Sequence, residues 1–150
     1  METNNPTELT QMFPTLSLGD VPDEVILRVF SNLEIKDFIR CGQVSKRIRA
    51  ISQDQSLWLR IDLYKEKSVA AGFLEYVINN GCKYLGLGLA QIAQIDGESL
   101  KCNPSQLKCL DLSFCRGSLQ IFDDLLSSCH SLEKLALTSQ FHILQNKDLV

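Results

Sequence analysis

Apolar residues crowd the stretch Val21 to Leu33 more densely than the outer helix of a small domain requires. At about 100° per residue, Val25, Val29, Leu33, Ile26, Phe30 and Leu27 spread over roughly 200° of a helix, and Glu24, Arg28, Ser31 and Asn32 share the remainder. A helix with one covered face needs an apolar stripe only a little over ~100° wide. Part of this arc is therefore expected to meet something beyond its own domain. Asp20 suits an N-cap, Pro22 the first turn, and Asp23 and Glu24 the positive end of the helix dipole, so the helix is expected from there to about Asn32. A second helix is expected over about 35–41, closed by Gly42. A third begins near Gln43, with Val44, Ile48 and Ile51 on its apolar face and Lys46, Arg47 and Arg49 on a solvated one.

Beyond residue 56 the pattern changes to a repeat. SLWLRIDL, residues 56–63, ends in a strand-like alternation. Trp58, Ile61 and Leu63 form an apolar-x-x-apolar-x-apolar frame that returns at Cys82, Leu85, Leu87, then at Leu107, Leu110, Leu112, and again at Leu132, Leu135, Leu137. A period of this size, with a strand frame followed by a helical stretch, is the signature of a stacked repeat architecture. Val69, Phe73 and Val77 mark one helical face, and Leu119, Phe122, Leu126 and Cys129 another. A weaker helical segment is expected at Asp96 to Leu100, ended by Pro104. The residues alternating with the leucines should face outward in three columns: Tyr84, Cys109, Lys134; Gly86, Asp111, Ala136; and Gly88, Ser113, Thr138. Open faces of such arrays commonly bind other proteins. Tyr84, Asp111 and Lys134 are the strong features here and the candidate substrate contacts. Either the final helix caps a short array or the chain is part of a longer one. In the second case an apolar edge is expected near Leu135, Leu137, Phe141 and Ile143.

Composition narrows the functional classes. The chain has 150 residues, 45% apolar and 22% charged, enough for packed cores. A net charge of −3 gives no basic footprint for a phosphate backbone, so nucleic acid is not an expected partner. No apolar run reaches the ~18 residues of a membrane span, and METNNPTELTQ has no secretory character. Residues 1–18 are expected to be a disordered tail, with Pro6 and Pro14 as breakers and Phe13, Leu16 and Leu18 leading to the first module. An intracellular protein, cytoplasmic and/or nuclear, is expected. Its six cysteines include no C-x-x-C pair. The spacings of Cys102, Cys109, Cys115, Cys129 and His130 match no common zinc knuckle, so they read as small buried apolar residues. No metal or cofactor is expected. His130 and His142 lie near no nucleophile motif, and the leucines of GLGLA at 86–90 belong to the repeat frame. No catalytic residues are therefore assigned.

The run VPDEVILRVFSNLEIKDFIRCGQVSKRIRAISQDQSLW, residues 21–58, resembles an F-box. Pro22, Glu24, Val29, Phe30, Leu33, Asp37, Phe38, Cys41, Val44, Ser45, Lys46, Leu57 and Trp58 stand in register with that family's pattern. Val21, Phe38 and Ile48 depart from it while keeping apolar character. The resemblance implies a Skp-family adaptor as partner and, through it, a cullin ubiquitin ligase. It also assigns adaptor docking to Pro22, Ile26, Leu27, Phe30 and Leu33. The repeats look like leucine-rich repeats of the cysteine-containing kind. Together the modules are similar to F-box/leucine-rich-repeat substrate receptors, most of all the S-phase-kinase-associated protein type. The implied fold is α+β, a three-helix F-box packed onto a short strand-helix leucine-rich-repeat solenoid: tail 1–18, F-box 19–57, repeats 58–150. The implied role is a non-catalytic substrate-recognition subunit whose repeats bind an unknown client. The alternative is an interaction protein that competes with full-length receptors.

Overall fold

Residues 17–93, 99–102 and 105–138 are described by the computed structural model, and they mix helices with strands. Expectations for the tail through Leu16, for Asp96 and Pro104, and for Phe141, His142 and Ile143 lie outside the described residues. Two compact units divide between Ser52 and Gln53.

The first unit begins with a 3-10 turn, Leu18–Asp20, rather than at a helix N-cap. Asp20 folds back so that the Ser17 hydroxyl and backbone N–H both donate to its carboxylate, at 2.9 and 3.0 Å. The hydroxyl bond, then the backbone bond, hold that carboxyl below its ordinary pKa. Helix α1, Asp23–Phe30, follows with Pro22 at the cap position. It ends two residues short of the expected Asn32, where Ser31 Oγ and Asn32 Nδ2 both donate to the Arg28 carbonyl. These short polar side chains compete for a carbonyl that a longer helix would use.

Helix α2, Ile35–Cys41, matches its expected span. Gly42 after it is right-handed, so the left-handed stop expected there does not form. Glycine suits this position for another reason: a Cβ would sit 2.5 Å from Ser52 Oγ and 3.2 Å from the Ile39 carbonyl oxygen, pressing on the helix that carries Ser52. That helix is α3, Lys46–Ser52, on which α1 and α2 both pack. It starts later than Gln43 because Ser45 supplies the cap, accepting the Ile48 N–H at 3.2 Å. Val44 is thereby left outside the helix and exposed. Ile26, Phe30, Phe38, Ile48 and Ile51 form the core of this unit.

The second unit opens with helix α4, Gln55–Trp58, capped by Asp54, whose carboxylate accepts the Ser56 N–H at 2.9 Å. Trp58 is buried edge-to-face against Tyr76, with ring centroids 5.0 Å apart. Strands β1 (Arg60–Asp62), β3 (Tyr84–Gly86), β5 (Cys109–Asp111) and β6 (Lys134–Ala136) make a parallel sheet in that order. Its register aligns Ile61, Leu85, Leu110 and Leu135, advancing by 24, 25 and 25 residues. The repeat frame and the strand register are thus the same object. A smaller parallel pair joins β2 (Val69–Ala70) to β4 (Ile92–Ala93).

Under the sheet, the first three copies of the frame are buried, while Leu135 in the fourth is 41% exposed. Lys65, Leu89 and Phe114 occupy equivalent turns just beyond the strands, and all three adopt positive φ. Helix α5, Ala71–Asn79, buries Leu74, Val77 and Ile78, while Phe73 is half-buried and Val69 belongs to β2. Helix α6, Leu119–Ser127, is capped by Ser118 and buries Ile121 and Leu125. The face expected from Leu119, Phe122 and Leu126 is therefore rotated: Leu119 is exposed and the other two half-buried.

Candidate functional sites

Each unit offers one surface with chemistry to present. On the first, α1 divides the wide apolar arc between core and surface. Ile26 and Phe30 turn inward and are 4% and 5% exposed, so in the chain by itself they belong to the core. Leu27 is half-buried, whereas Pro22 and Leu33 are exposed. Val25 and Val29, which the resemblance did not assign to docking, are the exposed apolar side chains of the helix itself. At 1.5 Å rise per residue, Val25 and Val29 stand about 6 Å apart along one side of the helix, and Leu33 follows in the turn beyond its end. The signal for them lay in the arc, but the arc alone does not say which part α3 covers.

The approach to this face is held by Arg47. Its guanidinium donates to Asp23 Oδ1 through Nε at 2.8 Å and Nη2 at 2.6 Å. Nη1 donates to the Leu18 and Gly19 carbonyls, and Nη2 also to that of Val21. The five-donor fork of arginine can serve several acceptors at once, and lysine cannot. Arg47 was expected on a solvated face. Instead it fixes the segment that presents Pro22. Arg49, from the same expected face, donates Nε to the Gly42 carbonyl.

On the second unit the open face of the sheet forms a trough of about 390 Å³. Tyr84, Asp111 and Lys134, the candidates from the outward columns, all line it. So do Arg60, Asp62 and Tyr64, which were missed. Their signal was present: one further step back along the repeat from Tyr84, Gly86 and Gly88 lands on them. The parallel register sets Arg60, Tyr84, Cys109 and Lys134 abreast, and two residues on, Asp62, Gly86, Asp111 and Ala136. The Arg60 guanidinium lies 6.0 Å from the Tyr84 ring centre. Outside the trough, Lys108 bonds Glu133 at 3.0 Å, and that carboxylate raises the ammonium pKa.

The six cysteines are free thiols, and burial pushes Cys82 up to about 11. Cys102 is likewise raised to about 11, by burial and then by the nearby Glu75 charge, and Cys115 to about 11 by burial and then Asp111. Protonated thiols of this kind are poor nucleophiles and poor metal ligands. Among the described residues no three His, Cys, Asp or Glu side chains converge as metal ligands, and no helix is long and apolar enough to cross a membrane.

A family model described as F-box-like matches residues 18–64, which takes in the described first unit together with α4 and β1. The mouse (Mus musculus) F-box/LRR-repeat protein 12 is 40% identical over 47 residues, 31% of this chain and 14% of that protein. Its human (Homo sapiens) counterpart is 38% identical over 47 residues, again 31% of this chain and 14% of that protein. The matched segment therefore spans well under a fifth of these relatives. Residues 18–64 are thus similar to an F-box-like domain.

Proposed function

We propose that the chain is the substrate-recognition subunit of a cullin-type ubiquitin ligase, without catalytic residues of its own. Its F-box-like domain docks a Skp-family adaptor and its parallel-sheet unit holds a client. The observation that carries this reading is the division of the apolar arc: Ile26 and Phe30 complete the domain's own core, and Val25 and Val29 remain exposed on α1, as do Pro22 before it and Leu33 after it. A solvated face has no use for such a set, and a groove on a partner helix bundle does. The docking set is therefore Pro22, Val25, Val29 and Leu33, with Leu27 at its margin. Ile26 and Phe30 act beneath it as support.

For the second unit we infer leucine-rich repeats. The support is the coincidence of a 24- to 25-residue leucine frame with strand register, and the name of the similar proteins, F-box/LRR-repeat protein 12. The nearer placement, with the S-phase-kinase-associated protein type, rests on the resemblance of SLWLRIDL, the segment that contains β1. Tyr84, Asp111 and Lys134 are client contacts in this reading, now joined by Arg60, Asp62 and Tyr64. An intracellular location, cytoplasmic or nuclear, belongs to the same reading and fits six cysteines held as thiols rather than disulfides.

Mixing the purified chain with a Skp-family adaptor and measuring mass by size exclusion with light scattering tests the proposal. A one-to-one complex is expected. Two separate monomers would defeat it. If a complex forms but a cullin assembly built on it transfers no ubiquitin to captured clients, the chain is a competitor of full-length receptors instead.

A further inference from the structure

Four charged side chains stand on the open face of the sheet, Arg60, Asp62, Asp111 and Lys134, and among the described residues none of them is in an ion pair. They are sorted by sign. Both cations belong to one row across the strands, and both carboxylates to the next. Same-face positions in a strand lie about 6.6–6.8 Å apart, which sets the separation of the rows.

The two carboxylates flank β3, one from each neighbouring strand. Asp62 Oδ1 accepts the Tyr64 N–H at 3.0 Å and Asp111 Oδ1 accepts the Ser113 N–H at 2.8 Å, so each keeps one oxygen free of any bond among the described residues. A Cβ added at Gly86 would stand 2.8 Å from Asp62 Oδ1, the oxygen that accepts the Tyr64 N–H, and one at Gly88 would stand 3.4 Å from Asp111 Oδ2 and 3.1 Å from the Tyr64 ring. Bare backbone at Gly86 and Gly88 therefore floors a slot with acid on both sides and an aromatic ring at one end. Any larger residue would fill it.

We propose that this trough takes an extended client peptide lying along β3, with an acidic side chain, a basic one and an apolar one at alternate positions on one face. This rests on the client-binding reading above and names the class of ligand. An extended peptide repeats its same-face side chains at the spacing of the rows. In this register the acidic side chain meets Arg60, with Lys134 in the same row. The basic side chain sits over Gly86 between Asp62 and Asp111, and the apolar one lies over Gly88 against the Tyr64 ring. The base must be central whichever way the peptide runs. A peptide with the acid central places like charges together at both rows, and that juxtaposition is what selects against it.

The test uses four labelled pentapeptides with blocked ends and the full chain, read by fluorescence anisotropy. Two carry the order Asp-Ser-Lys-Ser-Leu and its reversal, and two carry Lys-Ser-Asp-Ser-Leu and its reversal. One central-Lys peptide is expected to bind about tenfold more tightly than either central-Asp peptide. An Asp62→Asn, Asp111→Asn double variant should lose that preference. Asn keeps the oxygen that accepts the Tyr64 and Ser113 N–H groups, so the turns persist while the charge goes. Equal binding of both orders, a preference that survives in the variant, or no binding below about 1 mM would each overturn the proposal. Adaptor binding by the same preparation is read separately on the first unit, so failure of the trough and failure of the ligase reading give different results.

Discussion

Arg47 on α3 and Asp23 at the start of α1 are joined by two hydrogen bonds onto one carboxylate oxygen, at 2.8 and 2.6 Å. The same guanidinium also gathers the carbonyls of Leu18, Gly19 and Val21. A three-helix unit of this size has little core to spare, so its order depends on such ties as well as on burial. The tie has a functional side too, because the segment it holds leads directly into Pro22.

Arg47→Ala should lower the unfolding free energy by about 1 kcal/mol. A charge-assisted set of bonds can contribute more, but this pair is largely exposed and screened. Arg47→Lys should recover little of it, since an ammonium cannot serve the same fork of acceptors. Urea denaturation of both variants checks this, and recovery by lysine to the wild-type midpoint would count against the geometry.

The split of the apolar arc gives opposite expectations for neighbouring residues. Ile26→Ala, in the core, should cost about 2–5 kcal/mol of stability. Val29→Ala, on the surface, should change stability by no more than ~0.5 kcal/mol. Thermal melts of the two variants distinguish them directly.

Trp58 lies within the F-box-like match, and its ring belongs to the second unit's core, edge-on to Tyr76. Trp58→Ala should destabilise by about 3–5 kcal/mol. Trp58→Phe should lose less, since an aromatic ring remains to pack against Tyr76. The loss should appear in the near-ultraviolet circular dichroism of the second unit's aromatic residues.

Alkaline pH should weaken the fold. Cys82, Cys102 and Cys115 release their protons near 11 in the folded chain and near the ordinary thiol value, about 8.5, once unfolded. Between those values the native state holds protons that the unfolded chain gives up. Stability therefore falls as pH rises through that window and is untouched by these groups below about pH 8. At neutral pH the same three thiols should label slowly with a thiol reagent until denaturant is added. Rapid native labelling at Cys82 would contradict its burial.

The repeats were legible because a leucine frame is periodic along the chain. Parallel strands in register convert that period into rows, so Ile61, Leu85, Leu110 and Leu135 could be aligned before any coordinates. The same arithmetic carried one step further reaches Arg60 and Asp62. Faces of single helices were less legible. In α6 the sets Leu119, Phe122, Leu126 and Ile121, Leu125 overlap in sequence, and only tertiary packing decides between them. In α1 the arc announced surplus apolar surface, but which third was surplus depends on where Ile48 and Ile51 of α3 pack. Arg47 was opaque for another reason: a charge run reads as solvated unless the acceptors 24 to 29 residues away are known to converge on it.

The measurement that bears most directly on the proposed function is the affinity of the chain for a Skp-family adaptor before and after Val29→Glu, read by isothermal titration. Val29 is exposed, so the variant should keep its melting temperature, and a carboxylate there would be buried unpaired in the complex. A loss of at least about thirtyfold, the ~2 kcal/mol of an interface hot spot, is predicted. An unchanged affinity in the folded variant would show that the adaptor does not dock on this face of α1.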